Sequence, residues 1–112
     1  MLLASKKLNV ALATTHIALK DVPKKITQKS LCSTIKTLHF DLIKKFGFSK
    51  PKITVTGLNP HSGENGEFGD EEIKIIGPAI EKMKALGILV NGPIPADTAF
   101  TDDSLKDIDV VL

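Results

Sequence analysis

A chain of 112 residues with 42% apolar side chains can build one small domain, and it has no apolar run near the roughly 20 residues that a membrane span requires. Its single cysteine, Cys32, excludes an internal disulfide and a cysteine-based metal motif. All 15 basic residues are Lys, and without Arg, Trp or Tyr the chain lacks the bidentate forks and large stacking rings of a nucleic-acid surface.

In chain order, Met1-Leu2-Leu3-Ala4-Ser5-Lys6-Lys7 puts its charges after a short apolar stretch. That is the wrong order for a secretory signal, and a soluble cytoplasmic protein is expected. Leu8 to Ala13 reads as a buried strand, followed by a connection over residues 14–25 containing Pro23. Thr27 can cap a helix from Gln28 to Phe46. Leu31, Cys32, Ile35, Leu38, Leu42, Ile43 and Phe46 follow the three-and-four spacing of one buried face, which makes Cys32 a packed thiol. His39 lies four residues after Ile35 on that face and reads as a packed structural histidine. Gly47 stands where a left-handed cap residue belongs.

Lys52-Ile53-Thr54-Val55-Thr56 alternates and is β-branched, so it reads as a strand. A helix from Glu71 to Leu86 is buried through Ile73, Ile76, Ile80 and Met83. Its opening Glu71 and Glu72 suit the positive end of the helix dipole. Pro78 removes a donor and clashes with the Lys74 carbonyl, which predicts a kink. Ile88-Leu89-Val90 is a third short strand ending in a Gly92 to Pro95 turn. Thr101 to Asp107 can hold a helical turn, and Ile108 to Leu112 begins a strand that is cut short. The order β-α-β-α-β-(α)-β favours a mainly parallel sheet flanked by helices, so the fold class is α/β. It forms a single segment over residues 1–112, with no repeat, low-complexity tract or linker. Charge is divided along it: residues 1–56 hold 11 Lys against Asp21 and Asp41, +9, and residues 57–112 hold 4 Lys against 11 acids, −7. Complementarity within the chain or between subunits fits this division.

Between the second strand and the second long helix lies Gly57-Leu58-Asn59-Pro60-His61-Ser62-Gly63-Glu64-Asn65-Gly66-Glu67-Phe68-Gly69. A loop this long inside a compact α/β unit is either functional or disordered. Its glycines, together with Asn59 and Asn65, allow it to fold tightly around a ligand. His61 follows one strand and His16 another, so in a parallel sheet both leave the carboxyl-terminal edge, where such sheets bind ligands. Two imidazoles with a carboxylate, for which Asp97 is the candidate, form a divalent-metal donor set. Asp97 can alternatively contact a substrate, and either histidine can be an ordinary loop residue. The glycines at 63, 66 and 69 do not have the spacing of a dinucleotide-binding Gly-x-Gly-x-x-Gly turn.

Three motifs in one register, Gly57-Leu58-Asn59-Pro60-His61-Ser62-Gly63-Glu64, Gly92-Pro93-Ile94-Pro95-Ala96-Asp97-Thr98 and the upstream Val10-Ala11-Leu12-Ala13-Thr14-Thr15-His16-Ile17-Ala18, resemble the 4-hydroxythreonine-4-phosphate dehydrogenase family of vitamin B6 synthesis. The resemblance runs over essentially the whole chain. It implies an isocitrate/isopropylmalate-dehydrogenase-like fold, here truncated, because family enzymes are about three times longer and this chain reads as the middle third of a two-domain enzyme. It implies NAD- or NADP-dependent oxidation of 4-phosphohydroxy-L-threonine and decarboxylation of the β-keto acid, with a divalent metal ion (Zn, Mg or Co) as Lewis acid. His16 and His61 match two of the family's three metal-binding histidines, and the third lies in a motif beyond Leu112. Asp97 matches an aspartate beside substrate and metal, a catalytic position. The family enzyme is a homodimer with a phosphorylated small-molecule substrate and neither nucleic-acid nor membrane partners. Ala18, Ser62 and Asn65 depart from the usual family residues Pro, Ala and Gly. Rival readings are a related dehydrogenase of another phosphorylated sugar acid, and a catalytically inactive fragment or interaction module.

Overall fold

The computed structural model describes residues 1–112. Its sheet has five strands: β1 (Leu2–Ala4), β2 (Asn9–Ala11), β3 (Ile53–Thr56), β4 (Val90–Ile94) and β5 (Val110–Val111), in the order β1-β2-β5-β3-β4. Strand β1 pairs antiparallel with β2, while β2, β5, β3 and β4 run parallel. The α/β, mainly parallel arrangement expected from the sequence is present, with an added antiparallel edge strand at Leu2–Ala4 that the sequence reading treated as a lead-in.

The strand expected to be left open at Ile108 to Leu112 is instead the middle of the sheet. Val111 pairs with Val10 on one side and Thr54 on the other. The Leu112 N–H donates to the Thr54 carbonyl at 2.7 Å, and the Thr56 N–H donates to the Leu112 carbonyl at 2.9 Å. Val110, Val111 and Leu112 are buried. In β3, Ile53, Thr54 and Val55 are all buried. Successive side chains of a strand face opposite ways, so both faces of β3 are covered, as in a typical parallel sheet. Thr54 tolerates this because its hydroxyl bonds Asn91 Oδ1 at 2.6 Å across to β4. The third strand runs through 90–94, later than the apolar run Ile88-Leu89-Val90 suggested. Pro93 is accepted there because β4 is an edge strand with one side unpaired.

Helix α1 is one turn, Val22–Lys25, and α2 spans Gln28–Phe46. The start of α2 is fixed by a reciprocal box in which Thr27 Oγ1 accepts from the Ser30 N–H and Ser30 Oγ from the Thr27 N–H, each at 3.0 Å. Gly47 ends it in the left-handed region at φ 77. Leu31, Ile35, Leu38 and Leu42 are buried; Cys32 is half-buried, and Phe46, expected on the buried face, is exposed.

The second long helix begins with a π-helical turn, Glu72–Ile76, and continues as α3, Gly77–Ala85. Pro78 produces a change of helical pitch rather than a simple kink. The Gly77 N–H reaches back to the Glu72 carbonyl. The Lys74 carbonyl, denied a donor by Pro78, accepts from Gln28 Nε2 of α2 at 3.1 Å. The wider turn rotates Ile73 outward, 58% exposed, and Glu72 inward, 4% exposed. Ile76, Ala79, Ile80 and Met83 then pack with α2 and the sheet in one apolar core. Helix α4, Asp102–Leu105, is the short turn expected before β5.

The division of charge does not become pairing between the two halves. The four Lys–carboxylate pairs, Lys24–Asp21, Lys45–Asp41, Lys74–Asp70 and Lys84–Glu81, all lie three or four residues apart. Exposed pairs of this kind contribute little. The long-range tie is instead at Asp109, whose carboxylate accepts from the Lys52 N–H at 2.8 Å and whose carbonyl accepts from Asn9 Nδ2 at 3.0 Å.

Candidate functional site

Strands β2, β3 and β4 are parallel, so the segments that follow them emerge on one edge of the sheet. His16 comes five residues after β2, His61 five residues after β3, and Asp97 three residues after β4. All three are exposed. Asp97 lies in the turn that follows Pro95, where the Thr98 and Ala99 N–H groups both reach the Pro95 carbonyl. No three His, Cys, Asp or Glu side chains of this chain converge closely enough to hold a metal ion by themselves. The two histidines and Asp97 therefore share an edge without forming a three-donor cluster.

The two histidines also share a backbone conformation that L-residues rarely take: φ is 55° at His16 and 51° at His61. At His61 the conformation extends through the loop. His61, Ser62, Gly63, Glu64 and Asn65 have φ of 51°, 53°, 80°, 43° and 57°, one continuous left-handed turn. Side chains crowd the following carbonyl in this conformation, at roughly 1–2 kcal/mol per non-glycine residue. Such a turn persists only where its surroundings over-determine it.

Those surroundings are Glu72. Its Oε1 accepts from the backbone N–H groups of Leu58 and Asn59, both at 2.7 Å, and its Oε2 accepts from Asn59 Nδ2 at 3.0 Å. The same Asn59 amide reaches Glu71 Oε2 at 2.7 Å. Burial alone would push the Glu72 carboxyl up. The bonds from the Asn59 backbone, the Asn59 side chain, its own N–H and Leu58 outweigh that and hold it below the ordinary carboxylate value. The loop closes tightly on this group: a Cβ on Gly63 would meet Glu72 Oε2 and the Gly69 carbonyl, each at 2.8 Å. From the sequence Glu72 has only the role of a first-turn acid suiting the helix dipole, and the buried role seen here goes beyond it. A signal was present, because Glu72, Ile76, Ala79/Ile80 and Met83 continue one buried stripe back by a further turn.

The His61 ring packs edge-on to Phe68, with centroids 6.4 Å apart, and its Nδ1 lies 3.6 Å from Glu64 Oε2. At that distance the Glu64 carboxylate lies near Nδ1 without bonding it, and neither ring nitrogen of His61 has a hydrogen-bond partner within the chain. An exposed imidazole of this kind on the same edge as His16 fits a divalent ion that takes further ligands from elsewhere. His39 lies half-buried on α2 against Phe40, with its Nδ1 buried and unpartnered. Its place in the helix is that of a packing residue. Cys32 Sγ lies 3.9 Å from the Ala79 carbonyl, between the two long helices.

A mainly parallel sheet with helices packed on it, and long loops leaving its carboxyl edge, defines an open-sheet α/β protein of the kind that binds ligands at that edge. Residues 1–112 match the family described as pyridoxal phosphate biosynthetic protein PdxA, and the chain belongs to that family. It is 51% identical over 112 residues to 4-hydroxythreonine-4-phosphate dehydrogenase of Ectopseudomonas mendocina (strain ymp), covering 100% of this chain and 33% of that relative. The crystal structure of 4-hydroxythreonine-4-phosphate dehydrogenase from Klebsiella pneumoniae superposes with a TM-score of 0.91 at 40% identity, over 98% of this chain and 34% of that one. A terephthalate 1,2-cis-dihydrodiol dehydrogenase from Burkholderia xenovorans LB400 gives 0.87 at 30% identity, over 98% and 34%. The chain thus spans about a third of the length of each of these relatives.

Proposed function

We propose that this chain supplies part of the active site for metal-dependent, NAD(P)-linked oxidation and decarboxylation of 4-phosphohydroxy-L-threonine in pyridoxal phosphate synthesis. The observation that carries the reading is the pair of exposed, positive-φ histidines, His16 and His61, at the carboxyl ends of parallel strands. It is supported by the 51% identity to a dehydrogenase so named. One strand, β5, separates β2 from β3, so the two strand ends are about 10 Å apart. That interval suits two imidazoles approaching one ion from either side. In this reading His16 and His61 are two of the ligands, further donors come from outside this chain, and Asp97 hydrogen-bonds the reacting part of the substrate. A bound Zn, Mg or Co ion supplies a Lewis acid at the substrate oxygen, and NAD or NADP takes the hydride. The whole enzyme is read as a cytoplasmic homodimer acting on a phosphorylated small molecule.

A second reading is a related dehydrogenase of another phosphorylated sugar acid; the terephthalate dihydrodiol dehydrogenase shows that this fold carries more than one substrate name, its own being of a different chemical class. An inactive fragment or interaction module is the third. Co2+ titration of the protein and of His16→Ala, His61→Ala and His39→Ala tests the site. Binding is expected to weaken in the first two variants and persist in the third. Equal binding by all four removes the metal assignment. NAD(P)H formation with 4-phosphohydroxy-L-threonine, set against other phosphorylated hydroxy acids, separates the first two readings.

A further inference from the structure

We propose that Glu72 is a positioning residue for His61, setting the histidine's place at the sheet edge through Asn59 rather than touching the reacting groups itself. The inference rests on the reading of His61 as a metal ligand. Its basis is the directness of the connection. Glu72 receives three hydrogen bonds from Leu58 and Asn59. The Asn59 carbonyl accepts from the Ser62 N–H at 3.2 Å. Only Pro60, whose ring fixes its φ, separates Asn59 from His61. A left-handed turn that the chain would not adopt unaided is therefore anchored on the N-terminal side of His61 by one buried carboxylate, against which Gly63 closes on the other side.

The π-helical turn provides the mechanical reason that Glu72 can do this. It begins at Glu72 and turns that side chain inward beneath the loop, while Ile73 is carried out to solvent. Such turns are frequent at functional sites. Glu72 is 4% exposed and takes its hydrogen bonds from Leu58 and Asn59 of the loop. As a purely structural device it is an expensive one, since a well-packed apolar side chain would fill the same place without a buried charge. The carboxylate accounts for its own retention by fixing the direction of two backbone N–H groups, which no apolar side chain can do.

The test compares the protein with Glu72→Ala, Glu72→Gln, His61→Ala and the core control Ile35→Val. Two readouts are used: Co2+ binding with its visible absorption, and amide hydrogen exchange over residues 58–66. Loss of a group supporting a metal ligand weakens binding by about 10–100-fold, and that range is expected for Glu72→Ala with an altered Co2+ spectrum. Exchange at Leu58 and Asn59 should quicken by about tenfold or more, since those N–H groups lose their buried acceptor. Glu72→Gln keeps the shape and one acceptor but turns a donor toward the Asn59 amide, so it should fall between, and it stands in if the alanine variant does not fold. Wild-type Co2+ affinity and spectrum in Glu72→Gln and Glu72→Ala, with binding lost in His61→Ala, would overturn the positioning role and leave the metal site standing. Equal weakening by Ile35→Val would also overturn it, because the effect would then be general stability. If His61→Ala binds Co2+ as well as wild type, the metal reading falls, and the exchange rates decide whether Glu72 orders the loop: unchanged rates overturn that too.

Discussion

Replacing Gly63 and Gly47 by alanine, one at a time, separates the energy of a backbone angle from the energy of the site built around it. The two glycines have nearly the same conformation, φ 80° and 77°. A Cβ on Gly47 would meet nothing within 4 Å, whereas one on Gly63 would strike Glu72 Oε2 and the Gly69 carbonyl at 2.8 Å. Gly47→Ala should therefore cost only the left-handed penalty, roughly 1–2 kcal/mol. Gly63→Ala carries the same penalty and must also displace Oε2 from its donor, Asn59 Nδ2, and one buried donor left unsatisfied costs about 1–3 kcal/mol. The total for Gly63→Ala is about 2–5 kcal/mol. In a chain of this size about 1 kcal/mol lowers Tm by roughly 4 °C, so the Gly47 variant should melt about 4–8 °C below wild type and the Gly63 variant about 8–20 °C below. Thermal unfolding by circular dichroism reads the difference. Amide exchange at Leu58 and Asn59 shows whether it arises in the loop, which can open without global unfolding. Indistinguishable variants in both measurements would refute the claim that the loop is organised around Glu72.

Leu42 is fully buried, so Leu42→Ala should lose about 3–5 kcal/mol in urea unfolding with an unchanged m-value. Thr27→Ala breaks the reciprocal cap at the start of α2 and should lose about 1 kcal/mol, read as a small fall in Tm. Because the Glu72 carboxyl is held below its ordinary value, its contribution is complete above that value and disappears as pH falls through the lower, folded-state value. A 13C titration should place the Glu72 midpoint below 4.5, and Glu72→Gln should lessen the acid sensitivity of exchange at Leu58 and Asn59. A midpoint at or above the ordinary value would mean that burial outweighs the hydrogen bonds.

What the sequence disclosed follows the range of the forces involved. Helix α2 was legible to the residue because its signals are local: Thr27 before it, Gly47 after it and an apolar stripe between. The two histidine-bearing loops were legible because each follows a strand pattern directly. The place of β5 was not, since a strand of two residues gains its central position from partners 57 and 101 residues away in β3 and β2. Strand β1 was missed for a similar reason: Leu2–Ala4 becomes a strand only through its pairing with β2. In the loop, glycine content correctly pointed to unusual backbone angles. Four of the five left-handed residues are nevertheless His61, Ser62, Glu64 and Asn65, and of these Ser62 and Glu64 have no preference of their own for that conformation. Their geometry is imposed by Glu72 from the next element, so no reading of the loop alone could supply it.

The order of the strands also bears on how the molecule comes into being. Strand β5 joins β1-β2 to β3-β4, yet it is the furthest along the sequence of the five. During synthesis the two halves emerge first and face each other across a gap that only residues 110–111 can fill. Until then, the inner edges of β2 and β3 carry unpaired backbone groups, open to pairing with any other extended chain. Long-range closures of this kind are slow, and incomplete sheets are the species on which chaperones act. The edge that carries His16 and His61 is consequently incomplete until β5 has paired with β2 and β3.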